Sequence, residues 1–336
     1  MLDLTSSLFL GLHHPAPGGP GTGGWTSLTT GRAAALGEPV AATRVAARVA
    51  ALLGSPAGVV HRSALHALVD VVDVLAPTTV LVDDAAYPLV RVAAGSGPGP
   101  VHGFRHHDVR DAGRLLAGAG PRPLVVTDGW CAGCNRPAPL AALERVVRAA
   151  GGTLVVDDTQ AFGVLGPGGS GTWRWSGGRP AAAVQVVSLA KGLGAPLTVT
   201  AGPRPVVARL ASHGTRWHAS PPTAADLRAA DRATDPRAVP AVDARRRWLW
   251  WLVRRLLAGV RRLGLQVAGL PFPVVHVGGS HLDPLAAAGA LRRHGVRALV
   301  LTPACRPVPT LTLVVTADRT PADLDRVLHV LARSDR

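Results

Sequence analysis

The chain has 336 residues, of which 47% are hydrophobic, and a formal net charge of +15. This length exceeds one typical domain, and no apolar run is long enough to span a membrane. The first residues carry no basic stretch ahead of an apolar one, so we expect a soluble cytoplasmic protein rather than a secreted one. Three cysteines are too few for a disulfide framework.

The positive charge raises the question of a nucleic-acid partner, but its distribution argues against one. The arginines are scattered, and their densest group at 245–262 recurs about every seven residues. Leucine and valine occupy the opposite side of the same predicted helix. This pattern indicates an amphipathic helix with a solvated basic face. We therefore predict no nucleic-acid partner and no membrane partner.

The first 235 residues divide into an arm and a large domain. Residues 1–40 are rich in glycine and proline and predict an N-terminal arm. Residues 41–235 alternate helices with short apolar strands. We predict helices at 41–53, 64–75, 110–119 and 139–150, and strands at 58–61, 79–82, 124–127, 153–156 and 184–188. Continuous apolar strands between helices imply a mostly parallel sheet covered on both faces, a three-layer α/β/α domain.

The remaining residues, 236–336, predict a bridging helix and a small C-terminal α/β domain. The stretch before it, 203–240, contains several prolines and is expected to be mostly loop. The bridging helix is predicted at 241–263. Strands are predicted at 274–277, 298–301 and 310–315, and helices at 284–294 and 321–333.

Lys191 is the only lysine among 36 lysine and arginine residues. The composition uses arginine wherever a positive charge suffices, and arginine neither loses its proton at working pH nor forms a Schiff base. A lysine kept under this bias is expected to be needed for its amine. It stands in a turn of small residues that follows the strand predicted at 184–188.

Asp157 ends another apolar strand, and with Lys191 it suggests a cofactor. Pyridoxal 5'-phosphate needs a lysine for its aldehyde and a buried carboxylate for its pyridinium nitrogen. The carboxyl ends of parallel strands gather such groups at one edge of a sheet. Tyr87, the only tyrosine, also lies just past a strand end and is expected to stack on the cofactor ring.

The phosphate of such a cofactor needs backbone N–H groups at a helix N-terminus and nearby hydroxyl groups. The helix predicted at 64–75 follows His61-Arg62-Ser63, so its first turn is a candidate. Ser188 stands three residues before Lys191 and offers a hydroxyl.

Several segments in shared order resemble the fold-type I pyridoxal-phosphate-dependent enzymes, closest to the α-oxoamine synthase and class II aminotransferase-like group. They are LTSSLFLGL at 4–12, FRHHD at 104–108, VTDG at 126–129 followed by APL at 138–140, LVVDDTQAFGVLG at 154–166 and SLAKGLG at 188–194. The first resembles that group's opening segment. The fourth resembles its Asp-Glu-Ala-His-x-x-Gly-x-x-Gly signature, and the fifth resembles its lysine signature.

The resemblance implies a role for each site residue. Lys191 is the Schiff-base lysine that moves the substrate's Cα proton, and Asp157 is the pyridinium partner. Gln160 stands where the group has the histidine that bonds the cofactor's phenolic oxygen, and Tyr87 where it has the ring-stacking histidine. The implied phosphate ligands are Ser63, Ala64 and Leu65, Ser188, and Ser220 acting in the partner subunit of a homodimer.

The resemblance also implies a reaction and co-substrates. The expected chemistry is acyl transfer with decarboxylation, or transamination, on an amino acid or amine, with an acyl-CoA or carrier-bound acyl group as co-substrate. The group's Arg-x-Arg, whose first arginine holds the substrate carboxylate, is replaced here by Thr310-Leu311-Thr312. Arg306 and Arg32 are candidate substitutes, and a changed substrate is a further reading.

Two alternative functions remain open from the sequence. Cys131 and Cys134 follow a predicted strand and precede a helix, as in a thiol oxidoreductase turn. A zinc site on this pair needs two more ligands, and no second pair has ligand spacing, so we predict no metal site. The other alternative is a catalytically degenerate family member that acts as a partner or scaffold.

Overall fold

The computed structural model of the protein describes residues 1–14 and 31–334. The chain forms two compact units. Among the described residues, the large unit comprises 12–14, 31–130 and 137–239. The C-terminal unit comprises residues 1–11, 131–136 and 240–334. Within the described ranges, no helix combines the length and the apolar character needed to cross a membrane.

The described elements alternate between strand and helix through most of the large unit. The strands are β1 (Leu2–Asp3), β2 (Ala57–His61), β3 (Val80–Asp83), β4 (Val101–Phe104), β5 (Leu124–Asp128), β6 (Trp130–Cys131), β7 (Arg136–Pro137), β8 (Thr153–Asp157), β9 (Val184–Ser188), β10 (Thr198–Gly202), β11 (Gln266–Val267), β12 (Val274–Gly278), β13 (Val296–Arg297), β14 (Leu299–Leu301) and β15 (Thr310–Val314).

The helices range in length from single turns to one long helix. They are α1 (Val40–Leu53), α2 (Ala64–Leu75), α3 (Pro88–Ala94), α4 (Val109–Leu116), α5 (Leu140–Ala149), α6 (Thr172–Trp175), α7 (Leu189–Gly192), α8 (Arg204–Ala211), α9 (Gly214–His218), α10 (Ala224–Ala233), α11 (Val239–Arg262), α12 (Pro284–Arg293) and α13 (Pro321–Ser334). Short 3-10 turns lie at Ala34–Leu36 and Pro167–Gly169.

The large unit is built on a seven-stranded sheet with the order β2-β10-β9-β8-β5-β3-β4. Strand β10 is antiparallel to both of its neighbours, and the other pairs are parallel. Because β10 runs antiparallel to both β2 and β9, these two strands run in the same direction. The carboxyl ends of β2, β3, β5, β8 and β9 therefore lie at one edge of the sheet.

Successive residues of the central strands face two separate cores. Val80, Val82 and Val126 pack with the apolar sides of α2, α3 and α8. Leu81 and Val125 pack with the apolar sides of α4 and α5 on the other face. The alternation of strand side chains produces a sheet buried on both faces, which is the three-layer arrangement expected from the continuous apolar runs.

The C-terminal unit contains the four-stranded sheet β11-β12-β15-β14 and the long helix α11. The N-terminal residues belong to the same unit, because β1 pairs in parallel with β13. Leu4, Phe9 and Leu10 are fully buried. The rings of Phe9 and Phe272 meet edge to face with 5.7 Å between centroids. This segment is thus part of a packed core.

The structure confirms the predicted α/β class and its mostly parallel central sheet. The expectation of a mostly loop region at 203–240 is wrong, because helices α8, α9 and α10 lie there. Thr223 and Asp226 form a capping box that starts α10. The predicted domain boundaries stay a prediction, although the structure groups residues 1–11 and 131–136 with the C-terminal unit.

Candidate active site

Acidic residues collect at the carboxyl edge of the large sheet. Asp157 ends β8 and Asp128 ends β5, and the pairing register places these two residues side by side. Asp83 ends the next strand, β3. The parallel order of the strands therefore brings together three side chains that are far apart in sequence.

The amine of Lys191 lies at the same edge, in the short helix α7 that follows β9. Its Nζ donates a hydrogen bond of 2.6 Å to Oε1 of Gln160. The ring of Tyr87 has its centroid 5.7 Å from this nitrogen. Burial lowers the pKa of the Lys191 amine, and the nearby charges of Asp157 and Asp128 offset only part of this effect. The amine is therefore easier to deprotonate than an ordinary lysine.

Burial also raises the pKa of both neighbouring carboxyl groups. For Asp157, hydrogen bonds from Thr159 and the charge of Lys191 oppose this rise. For Asp128, the charge of Asp157 adds to the effect of burial, so its pKa lies well above the usual value. Oδ2 of Asp128 accepts the backbone N–H of Tyr87 at 3.0 Å. A buried carboxyl group and a half-buried one thus both interact with the charge of Lys191.

Two glycines explain why Gln160 and Lys191 meet. Gly163 and Gly192 pack backbone against backbone, and a Cβ added to Gly163 would lie 2.9 Å from Cα of Gly192. Gly163 also has a φ of +82°, which favours glycine. Real Cβ atoms are not found this close to another chain, so both positions require glycine for the two loops to approach each other.

The residues predicted to bind phosphate lie at the same edge. His61 at the end of β2 and Ser188 at the end of β9 both pair with Thr198 of β10. Ser63 then caps α2, so the first-turn N–H groups of Ala64 and Leu65 have no acceptor within their own helix. Ser188 caps α7, and its hydroxyl accepts the N–H of Ala190 at 3.3 Å.

Ser220 is exposed and lines a cavity of about 330 Å³ in the large unit. Arg62 and His66, which flank the start of α2, line the same cavity. The structure therefore brings Ser220 close to the phosphate candidates of its own chain. The predicted role of Ser220 in a partner subunit stays a prediction.

Sequence reasoning missed Asp128 and Thr159 as site residues. Thr159 donates its backbone N–H to Oδ1 of Asp157 at 3.0 Å, and its hydroxyl accepts the N–H of Ser188 at 3.0 Å. It therefore fixes the carboxylate and the start of the lysine turn together. The signal for Asp128 was its place at the end of an apolar strand, the same feature that identified Asp157.

Asp83 is held by a separate network. His106 Nδ1 donates to its Oδ1 at 2.7 Å, and the backbone N–H of His107 donates to its Oδ2 at 3.0 Å. Burial alone would raise the pKa of Asp83, but these hydrogen bonds outweigh it and lower that pKa. Asp83 is thus an ionised structural group.

In the C-terminal unit, the candidate Arg306 lies beside Thr310, the residue that replaces the first arginine of the Arg-x-Arg pattern. Nη2 of Arg306 donates to Oγ1 of Thr310 at 2.8 Å. Its Nε is buried and makes no hydrogen bond within the described residues. Arg306 thus keeps a guanidinium beside the residue that replaces the first arginine. Arg32 lies in the large unit and is exposed.

The CxxC does not adopt the geometry that the thiol-oxidoreductase alternative needs. Cys131 is buried at the end of β6, and the next helix, α5, begins only at Leu140. Neither sulfur therefore lies at a helix N-terminus, which is the feature expected to activate a thiolate in such enzymes.

Comparison with known proteins places this geometry in a family context. The sequence model of the family described as aminotransferase class I and II matches residues 27–331. The 8-amino-7-oxononanoate synthase of Anaeromyxobacter dehalogenans strain 2CP-C is 36% identical over 239 residues, which cover 68% of this chain and 58% of that protein. The enzyme of the same name from Marinobacter nauticus is 32% identical, covering 70% and 60%.

Solved structures share the fold at lower identity. Serine palmitoyltransferase of Sphingomonas wittichii superposes with a TM-score of 0.84 and 18% identity, covering 99% of this chain and 86% of that one. The 8-amino-7-oxononanoate synthase of Francisella tularensis gives 0.75 and 14%, covering 99% and 97%. The chain spans about three fifths of the length of the curated relatives it matches.

Proposed function

Because the chain belongs to the aminotransferase class I and II family, we propose that it is a pyridoxal-phosphate-dependent transferase that condenses an acyl thioester with an amino acid and releases the substrate carboxylate. This is the reaction class of the α-oxoamine synthases. The observation that carries the proposal is the placement of the sole lysine amine beside Gln160, Tyr87, a buried carboxyl group and a half-buried one.

The match to the aminotransferase class I and II family confirms the resemblance predicted from the sequence, and the solved structures confirm the predicted fold. The transferase activity and the pyridoxal-phosphate cofactor belong to the proposal. The choice between acyl condensation and transamination rests on the curated relatives, which are named as synthases. Because the chain covers only part of their length, its acyl and amino-acid substrates are proposals. The predicted homodimer and cytoplasmic location stay predictions.

The charges of the site fit pyridoxal phosphate. Asp157 is buried and Asp128 beside it is half-buried, so their ionised forms repel each other, and among the described residues the charge of Lys191 opposes this. Asp157 would hold the protonated ring nitrogen of the cofactor, which would supply the missing positive charge. At the other end, the first turn of α2 offers unpaired N–H groups to a phosphate.

Each residue then has a defined task. The bound cofactor supplies an electron sink for carbanion chemistry. Asp157, held by Thr159, keeps the ring nitrogen charged. Lys191 has a lowered pKa, so it accepts and returns a proton at the substrate's Cα. Gln160 orients the lysine amine, and Tyr87 covers a ring face.

The first experiment is the absorbance spectrum of the purified protein with added pyridoxal phosphate. We expect a band near ~420 nm that borohydride reduction makes permanent on Lys191, and its absence in Lys191→Ala. Lys191→Arg is the matched control, because it keeps the positive charge but not the reactive amine. A band of equal strength in either variant would refute Lys191 as the cofactor's anchor.

The reaction class needs a second assay on the holoenzyme. Amino acids are screened for a change in the cofactor spectrum, and then acyl thioesters are added. We expect release of free thiol and of carbon dioxide in equal amounts. Formation of an oxo acid from the amino acid without thiol release would instead identify a transaminase.

A further inference from the structure

All three cysteines of the chain come together in the C-terminal unit. Cys131 ends β6, Cys134 follows in the loop, and Cys305 lies before β15, 174 residues from Cys131. The sulfur atoms of Cys131 and Cys305 are 3.5 Å apart, and all three sulfurs lie within 4.8 Å of one another. None of them forms a disulfide in the described structure.

Hydrogen bonds of Asn135 hold the loop that carries the CxxC. The backbone N–H of Asn135 donates to the carbonyl of Cys131 at 2.9 Å, and its side-chain amide donates to the carbonyl of Val274 at 2.7 Å. Asn135 has a φ of +51°, a left-handed conformation that asparagine tolerates. The backbone thus turns so that both cysteines face the same place.

The second loop comes so close that Gly133 has no room for a side chain. A Cβ there would lie 2.5 Å from Cβ of Pro303 and 2.7 Å from Sγ of Cys305. The backbone N–H of Arg306 donates to the carbonyl of Pro303 at 2.9 Å, which closes a turn around Cys305. Two separate loops are therefore shaped to present three sulfurs to one point.

From this convergence we propose that Cys131, Cys134 and Cys305 bind a zinc ion. A tetrahedral zinc with Zn–S bonds of ~2.3 Å places its sulfurs about 3.8 Å apart, which lies inside the range observed here. A disulfide requires its sulfurs at about 2.05 Å, so the present spacing suits a shared ion better. The three thiolates leave one tetrahedral position for water or another donor.

The ion has a structural task. It ties residues 131–136 to the loop at 303–306 within the C-terminal unit. The test of this site needs no catalytic readout.

The test uses untagged protein purified with reductant, loaded with zinc and dialysed. Metal content is measured by mass spectrometry, and affinity is measured by competition with a chromophoric chelator. We expect one zinc per chain, with affinity weakened at least ~10-fold in Cys131→Ser, Cys134→Ser and Cys305→Ser. Ala132→Ser, which adds a hydroxyl to the same loop without removing sulfur, should bind like the wild type.

A second measurement keeps the test decisive if a serine variant does not fold. X-ray absorption of the zinc-loaded wild type should show three sulfur neighbours at ~2.3 Å. Zinc coordinated by oxygen and nitrogen alone would overturn the proposal. So would serine variants that bind as tightly as the wild type, or fully reduced wild type that takes up no zinc.

Discussion

Asp158, the residue after Asp157, makes a prediction about stability that can be worked out from the structure. Its carboxyl group is buried and accepts the backbone N–H and the hydroxyl of Thr172 at 2.7 and 2.6 Å. Gly129 and Gly171 line it so closely that a Cβ on either would overlap its oxygens. Burial raises the pKa of Asp158 from 3.8 to about 7, and the hydrogen bonds from Thr172 oppose this only in part.

The sign of the effect follows from the two pKa values. Below about pH 4 the carboxyl group is protonated in both the folded and the unfolded chain. As pH rises toward 7, the unfolded chain releases the proton while the folded chain retains it, so stability falls. The whole rise from 3.8 to about 7 corresponds to about 4 kcal/mol, of which about 3 kcal/mol is lost between about pH 5 and about pH 8.

Asp158→Asn tests this prediction because the amide does not titrate. It still accepts the N–H of Thr172, and its NH₂ group can donate to the threonine hydroxyl, which rotates to accept. Urea unfolding of both proteins should show that the variant gains about 3 kcal/mol relative to the wild type between about pH 5 and about pH 8.

Asp84→Asn is the control, because Asp84 holds the matching position after β3 but is exposed. A stability difference between Asp158→Asn and wild type that does not change with pH would refute the reasoning. A change of equal size in Asp84→Asn would also refute it.

Three further predictions concern the sites. Asp157→Asn should weaken pyridoxal-phosphate binding by about 10- to 100-fold in fluorescence titrations, whereas Asp128→Asn should keep the cofactor because the carboxylate of Asp157 remains; equal weakening in both variants would contradict the role given to Asp157. Arg306→Met should raise KM for the amino acid at least ~10-fold with little change in kcat. An unchanged KM would show that Arg306 does not bind the substrate carboxylate. Gly133→Ala should destabilise the protein by about 1–3 kcal/mol in thermal unfolding and weaken zinc binding, because its Cβ would press on Pro303; a variant as stable as the wild type would contradict that crowding.

The sequence predicted the central sheet well because its strands are continuous apolar runs. Strands β4 and β10 were missed for the opposite reason. Residues 101–103 of β4 are exposed at the sheet edge, and β10 alternates threonine with apolar residues. The helices between 204 and 233 were missed because prolines and short lengths hide their period, although the capping box of α10 was present in the sequence.

The site was predictable where a residue type carries its own chemistry. Lys191 was identified by its rarity, and Gln160 and Tyr87 by their places in family motifs. The convergence of Cys305 with Cys131 was not predictable, because 174 residues separate them and only tertiary packing brings them together. The expectation of no metal site considered only ligands at local spacing, so it did not include Cys305.

Two departures from the family pattern in the C-terminal unit are linked through His276. Burial lowers the pKa of His276, so it is neutral near pH 7 and has a single N–H. Its Nε2 lies 2.6 Å from the carbonyl of Ala132, which can only accept, so the proton lies there. Its Nδ1 must then accept the hydroxyl of Thr312 at 2.9 Å.

Thr312 is fully buried, and an arginine at this position would place a charge in the core of the sheet. The threonine instead leaves a hydroxyl that fixes the tautomer of His276, and His276 in turn holds the backbone between the two CxxC cysteines. Thr312, where the family pattern has its second arginine, is thus connected to the cysteine loop through His276. A substitution that places arginine at 312 is therefore expected to disturb the cysteine loop.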